Sequence, residues 1–374
     1  MSLLSVPWDE LRSRNSAKWR VYDPDVLPMW VAEMDTRLHP SVRETVIAAL
    51  ERNDTGYAYG SAYAEAFAAM ASARWGWELS AAAQIRRGPD VMSWIATVLL
   101  AVTEPGDAVI INPPVYFPFR EVIMAYGRTV VEAPLASDGR LDLAVIEQVM
   151  KVEPKPRAYL LCSPHNPTGV VHTANELAAV MALANAADVQ VIVDEIHAPL
   201  VDPGSTFVPL QTVPGGERAV TVTSAGKAWN LAGFKAGLVI AGPQAVEILQ
   251  RPQVSGQSTA HVANLAHTAA LTSAQDWVDE LVGELAANKR LLAGELAREL
   301  PEVSYRPMPG TYLAWVDCSA LGLAHPAQHF REQGRVAFSP GSQFARTHQQ
   351  WVRINLACAP ELIVEAVARM RASC

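Results

Sequence analysis

The sequence predicts an α/β protein with a mostly parallel central sheet flanked by helices and a smaller α/β domain drawn from both chain ends. Three observations predict it. Short apolar, β-branched runs at 108–111, 158–162, 189–193 and 219–223 alternate with helical stretches at 93–102, 142–150 and 174–187. That is the rhythm of parallel strands joined by crossover helices. Residues with chemical potential follow the strand ends: Tyr116, Asn166, Asp194 and Lys227, and ligands of such sheets sit at the carboxyl ends of the strands. The length, 374 residues with 50% hydrophobic and 18% charged, suits a globular chain of two domains.

Charge and cysteine usage narrow the function classes. A net charge of −8 with no long basic run argues against nucleic acid or an anionic membrane as partner. Cys162, Cys318, Cys358 and Cys374 are widely spaced without a CxxC pair, which predicts reduced thiols, a cytoplasmic setting and no metal site. The N-terminal stretch has no signal-peptide pattern, and the apolar run 99–102 is too short to span a bilayer.

Taken in order, residues 1–40 read as an irregular, aromatic-rich segment, with 27–35 too apolar for a free tail and expected to pack across a cleft or a partner subunit. A helix is expected over 40–51. The loop 55–60 has glycines at both ends and carries Tyr57, either an exposed tyrosine or a hydroxyl offered to a phosphate across a subunit interface. A helix follows at 62–75. The turn Gly88-Pro89-Asp90 then opens the helix 93–102, so the N–H groups of Val91 and Met92 sit at the positive end of a helix dipole, which suits a phosphate. Asp90 reads equally as an ordinary N-cap. The strand 108–111 leads to Tyr116, the run 128–132 is strand-like, and the loop 163–169 is stiffened by two prolines around Asn166. The strand 189–193 ends in Asp194. The strand 219–223 ends in Ser224-Ala225-Gly226 and then Lys227, and a further strand covers 237–241. Long helices are expected over 262–300. A smaller unit follows, with strands at 310–317 and 352–356, an edge at 336–339 and helices at 326–333 and 361–371. The expected division is 1–40 joining the small domain, 41–265 as the large domain, and 266–374 as the small one.

A lysine after small and apolar residues is partly desolvated, which favours its neutral, nucleophilic amine. Lys227 would therefore capture a carbonyl cofactor such as pyridoxal 5′-phosphate, although a turn lysine is more often merely exposed. The other parts such a cofactor needs have candidates. Asp194 would hold the pyridine nitrogen and Tyr116 would stack on the ring. Val91, Met92, Ser224, Lys235 and Tyr57 would form the phosphate cup, and Asn166 and His197 would bond the phenolic oxygen. Arg353 would anchor a substrate carboxylate in bidentate fashion, helped by Asn166, unless it is a surface ion pair. His197 reads as a hydrogen-bonding group rather than a base, and Glu195 as a structural contact pointing away.

The stretches SPHNPTG at 163–169, DEIH at 194–197, SAGKAWNLAGFK at 224–235 and RIN at 353–355 resemble the class I/II aminotransferase superfamily of pyridoxal-phosphate fold type I. LPMWVAEMD at 27–35, DEIH and TYLAW at 311–315 resemble its cystathionine β-lyase (cysteine-S-conjugate β-lyase) branch. Two positions depart from the family pattern: Gly226 replaces a small hydroxyl residue, and Lys235 stands where many relatives have arginine. The resemblance implies a homodimer with shared active sites, Tyr57 serving the neighbour, and a small amino acid as substrate. It implies α,β-elimination of cystathionine or a related cysteine thioether to pyruvate, ammonia and a thiol, with Lys227 taking the Cα proton. An aminotransferase would use the same lysine and aspartate and is the alternative. A regulator acting through partner contacts is a third reading, and it would not need both Lys227 and Arg353.

Overall fold

The computed structural model describes residues 2–374. Its strands are, in chain order, Leu27–Pro28 (β1), Ile85–Gly88 (β2), Ala108–Ile111 (β3), Thr129–Glu132 (β4), Pro156–Cys162 (β5), Gln190–Asp194 (β6), Val220–Thr223 (β7), Gly237–Ala241 (β8), Ser304–Tyr305 (β9), Leu313–Asp317 (β10), Val336–Ala337 (β11), Ser339–Pro340 (β12) and Trp351–Asn355 (β13). Seven of them form one sheet in the order β2-β8-β7-β6-β5-β3-β4. The pairs from β7 to β4 are parallel, while β8 runs antiparallel to both β7 and β2. The reversal follows from the connection. Residues 224–236 join β7 to β8 without a crossover helix, and a parallel neighbour would need one. That connection is the segment that carries Lys227.

Successive residues of the central strands enter opposite cores, as the period-two geometry of a strand requires. Val109, Leu160, Ile192 and Val222 pack under the helix Val91–Val102. Ile110, Leu161, Val191 and Val193 pack on the other face with the helix Ala174–Ala187. The helix Val91–Val102 begins two residues earlier than expected, because the Asp90 carboxylate caps it by accepting the Ser93 N–H at 2.7 Å. Its start lies directly on β8: a Cβ at Gly237 would sit 2.8 Å from the Asp90 carbonyl carbon. Only glycine allows that approach, and it fixes the helix N-terminus at the sheet edge of the site.

A second, antiparallel sheet has the order β12-β13-β10-β9. It packs with the helices Gln275–Glu299, Pro326–Glu332 and Pro360–Ser373 around Leu296, Val316, Phe330, Ile354 and Ile363. The N-terminal segment contributes β1, whose Leu27 and Pro28 pair in parallel with Val336 and Ala337 of β11.

The N-terminal 40 residues are more ordered than an irregular segment: they hold the helices Trp8–Ser13 and Ala17–Arg20 besides β1. A fully buried ion pair, Lys18 Nζ to Asp35 Oδ1 at 2.6 Å, ties this region together. The helix Pro118–Ala125 and the edge strand β2 are additions to the sequence reading. β10 starts at Leu313 rather than 310, because Thr311 adopts φ +63° and Gly310 is pressed against the backbone of Gly169. No helix among the described residues is long and apolar enough to cross a membrane.

Candidate active site

The carboxyl ends of β5, β6 and β7 open into a cavity of about 440 Å³, closed on the far side by residues of β12 and β13 and by the segment 30–32. The two central groups come from neighbouring strands. Asp194 is the last residue of β6 and accepts the Ile196 N–H at 3.0 Å. Lys227 follows the turn after β7, and its Nζ donates to the Ala32 carbonyl at 2.9 Å. Burial pushes Lys227 down to about 8, with the nearby Arg353 charge acting in the same direction. Burial pushes Asp194 up to about 7, partly countered by Lys227. A cationic N–H placed against Asp194 would favour its carboxylate form.

Arg353, central in β13, reaches across from the second sheet. Its Nη1 donates to Asn166 Oδ1 at 3.1 Å, and its Nη2 to the Trp30 carbonyl at 3.0 Å and Ser339 Oγ at 3.2 Å. The guanidinium lies 4.8 Å from the Phe344 ring centroid, and its Nε has no partner. It is therefore an internal, aimed cation and not a surface ion pair. Asn166 is held by its loop: the His165 N–H bonds the Val170 carbonyl, and His165 Nε2 bonds the Pro114 carbonyl, both at 2.8 Å. Gly310 supports the loop from below, where a Cβ would lie 2.9 Å from Pro164.

His197 is buried and its Nδ1 has no hydrogen-bond partner. Burial, reinforced by Lys227 and Arg353, lowers it to about 3, so the ring is neutral and suited to hydrogen bonding rather than proton uptake. Glu195 turns away and accepts the Leu210 N–H at 2.8 Å. Tyr116 lines the cavity with its hydroxyl pKa raised by burial and by Asp194.

The helix start supplies Val91 and Met92 to the cavity wall, and the first N–H groups of a helix have no intrahelical acceptor. Ser224 Oγ donates to the Ala236 carbonyl at 2.6 Å and accepts the Gly226 N–H at 3.0 Å, so it shapes the turn as well as lining the cavity. A Cβ at position 226 would lie 3.1 Å from that oxygen, a tight contact that a small shift of the Ser224 side chain would relieve. Lys235 stands at the mouth, largely exposed, and pairs with Asp90 at 3.1 Å. Tyr57 is not brought to this cavity within its own chain; it is fully exposed at its loop tip.

The segment 27–35, expected to pack across a cleft or a partner subunit, supplies Trp30, Val31 and Ala32 to the wall of this cavity. Its carbonyls are held by distant side chains: Asn355 Nδ2 bonds both Val31 and Glu33 at 2.7 Å, and Tyr312 Oη bonds Ala32 at 3.1 Å. The apolar character of 27–35 was the signal for that placement, but it did not show which side chains hold the carbonyls. Tyr22 and Phe338 were missed as cavity residues.

Pyridoxal phosphate fits these residues on the structure's own terms. A buried carboxylate, an orphaned imidazole nitrogen, a lysine shifted toward its neutral form, an aromatic wall and a helix N-terminus converge on one cavity.

A family model described as aminotransferase class I and II matches residues 25–370. A Mycobacterium leprae (strain TN) protein named "Putative cystathionine beta-lyase" is 43% identical, over 97% of this chain and 95% of its own length. Cystathionine beta-lyase PatB of Bacillus subtilis (strain 168) is 30% identical, over 93% of this chain and 92% of its own. The crystal structure of cystalysin from Treponema denticola, which contains pyridoxal 5′-phosphate, superimposes with a TM-score of 0.90 at 26% identity, covering 97% of this chain and 96% of that one.

Proposed function

The chain belongs to the aminotransferase class I and II family, and on that premise we propose that it is a pyridoxal-5′-phosphate-dependent carbon–sulfur lyase. Its substrates are cystathionine or related cysteine thioethers, split with water into pyruvate, ammonia and a thiol. The observation that carries the choice within the family is the 43% identity, over 97% of the chain, to a protein with a cystathionine β-lyase name.

When bound, the cofactor supplies an electron sink for the carbanion formed at the substrate Cα. The chain's own groups do the rest. Arg353, pre-aimed by Phe344, Ser339 and Asn166, takes the substrate carboxylate. Lys227 Nζ accepts the Cα proton as general base, its shifted amine being neutral over more of the physiological range than an ordinary lysine. Asp194 would hold a proton on the ring nitrogen, and Tyr116 would supply the aromatic wall for the ring. Asn166 and His197 would serve the phenolic oxygen. Val91, Met92, Ser224 and Lys235 would hold the phosphate, with Tyr57 serving the neighbouring subunit's phosphate. The segment 30–32 walls the cavity opposite the strand ends, and its Ala32 carbonyl accepts Lys227 Nζ.

Three further statements belong to the same proposal. The protein acts as a homodimer with shared sites, supported by the full exposure of Tyr57 and near-full exposure of Tyr59, with the apolar Ile47 and Leu50 exposed as well. It works in the cytoplasm, supported by four free cysteines. The small domain combines the N-terminal segment with the C-terminal part, supported by the β1–β11 pairing. The division near 265 falls within a helical stretch shared by both parts: Trp277, Val278 and Leu281 of the helix Gln275–Glu299 pack with the helix His261–Ser273, and its later part packs with Pro360–Ser373.

Lys227, Asp194 and Arg353 would serve an aminotransferase equally, and that is the second reading. Incubating the loaded protein with L-cystathionine separates the two. Continuous thiol release without a keto acid supports the lyase; turnover that stalls until a keto acid is added supports the aminotransferase.

A further inference from the structure

Beyond the main cavity lies a second one of about 360 Å³. The two share Tyr22, Phe338, Pro340 and Gln343 in their walls, so they adjoin. The shared waist is largely apolar. Phe338 is buried, and Tyr22 packs edge-on against Trp30 with centroids 5.6 Å apart. The far chamber is polar instead: His325, Gln328, Arg331, Ser342, Gln343 and Gln349 line it.

Arg331 provides the chamber's cation. It sits in the last turn of the helix Pro326–Glu332, and its guanidinium lies 5.8 Å from the Tyr22 ring centroid. Its recorded anionic contact is the adjacent exposed Glu332, at 3.0 Å, and that same carboxylate oxygen also accepts Gln328 Nε2 at 3.0 Å. An exposed neighbouring pair of this kind contributes little, so the guanidinium is available to another carboxylate. A cation behind an apolar waist matches a ligand with a charged end beyond a stretch of methylenes and sulfur.

We propose that this side chamber is the subsite for the far end of the β-substituent, and that Arg331 selects thioethers ending in a carboxylate. The inference rests on the lyase reading and deepens it: Arg353 holds the reacting amino acid, and Arg331 holds the carboxylate at the leaving end. The amides of Gln328 and Gln343 supply oxygen acceptors for an amine carried beside that carboxylate. The apolar waist takes the thioether. Short apolar thioethers leave the chamber unused, so Arg331 separates substrates by length and charge and takes no part in bond breaking.

The test compares kcat/KM for L-cystathionine, S-methyl-L-cysteine and S-(2-aminoethyl)-L-cysteine in the loaded wild type, Arg331→Ala and Arg331→Glu. In Arg331→Ala the preference for L-cystathionine over S-methyl-L-cysteine falls at least fivefold, mainly through KM. In Arg331→Glu the preference for S-(2-aminoethyl)-L-cysteine over L-cystathionine rises at least fivefold, a gain that a damaged fold cannot produce. Smaller changes in both ratios overturn the assignment while leaving the lyase reading intact. Failure of the wild type to release thiol from all three substrates overturns the lyase reading, and the subsite with it.

Discussion

Lys227 follows the turn after β7 with its amine buried near Arg353, and both circumstances favour the neutral form that the proposed role needs. The sign is set by that depressed value. The neutral fraction grows as pH rises through about 8, so covalent capture of added pyridoxal phosphate by the apoprotein accelerates across that range and levels off above it. Stopped-flow absorbance measures this, and Lys227→Ala shows no such step. Lys227→Ala also lowers elimination by at least about 100-fold, the scale of a lost general base. His172 provides a stability test. It is fully buried, neither ring nitrogen has a partner, and burial lowers it to about 3. The unfolded chain therefore binds the extra proton between about pH 6.5 and 3, and stability falls as pH drops through that window. The loss is up to about 1.4 kcal/mol per pH unit for this one group. Chemical denaturation at pH 7 and pH 5 checks it: His172→Gln, which cannot titrate, gains on the wild type at the lower pH.

The elements were legible in proportion to how local their causes are. The parallel strands announce themselves through apolar runs, and Asp90 through its place before a helix. The antiparallel turn of β8 was not legible, because it depends on the path of residues 224–236. The packing of 27–35 across a cleft was expected from its apolar character, but the partners of 30–33 were not legible: its carbonyls bond Asn355, Tyr312, Lys227 and Arg353, and three of these lie more than 270 positions away in sequence. Asn355→Ala removes the shared amide donor from the Val31 and Glu33 carbonyls, which keep only the Glu33 N–H and Lys18 Nζ respectively. It is expected to destabilise the protein by about 2 kcal/mol and to raise KM for the thioether, because the Trp30 carbonyl that orients Arg353 moves with the segment. Urea unfolding and steady-state kinetics read the two effects. A change in stability alone would separate the segment from the site.

At the scale of the whole molecule, strand order explains why the reactive residues meet. Asn166, Asp194 and Lys227 follow three adjacent strands, β5, β6 and β7, and Arg353 arrives from the other sheet. That convergence was inferable from the shared position after strand ends, and so was Arg353 from its motif. The side chamber was not, since its walls come from Tyr22, 325–331 and 342–349, regions without a common sequence signature. Tyr57 belongs to this scale too, because within one chain it faces solvent. In a shared-site dimer, mixing Tyr57→Phe with Lys227→Ala chains recovers one wild-type site per hybrid, with wild-type cofactor retention at that site. No recovery on mixing would mean that each chain completes its own site. The central claim is the lyase reaction itself, and one measurement tests it most directly: pyruvate and thiol released from L-cystathionine by the cofactor-loaded protein, with no keto acid added. The account predicts sustained release in equal amounts over many turnovers. A single turnover that stops until a keto acid is supplied would contradict it.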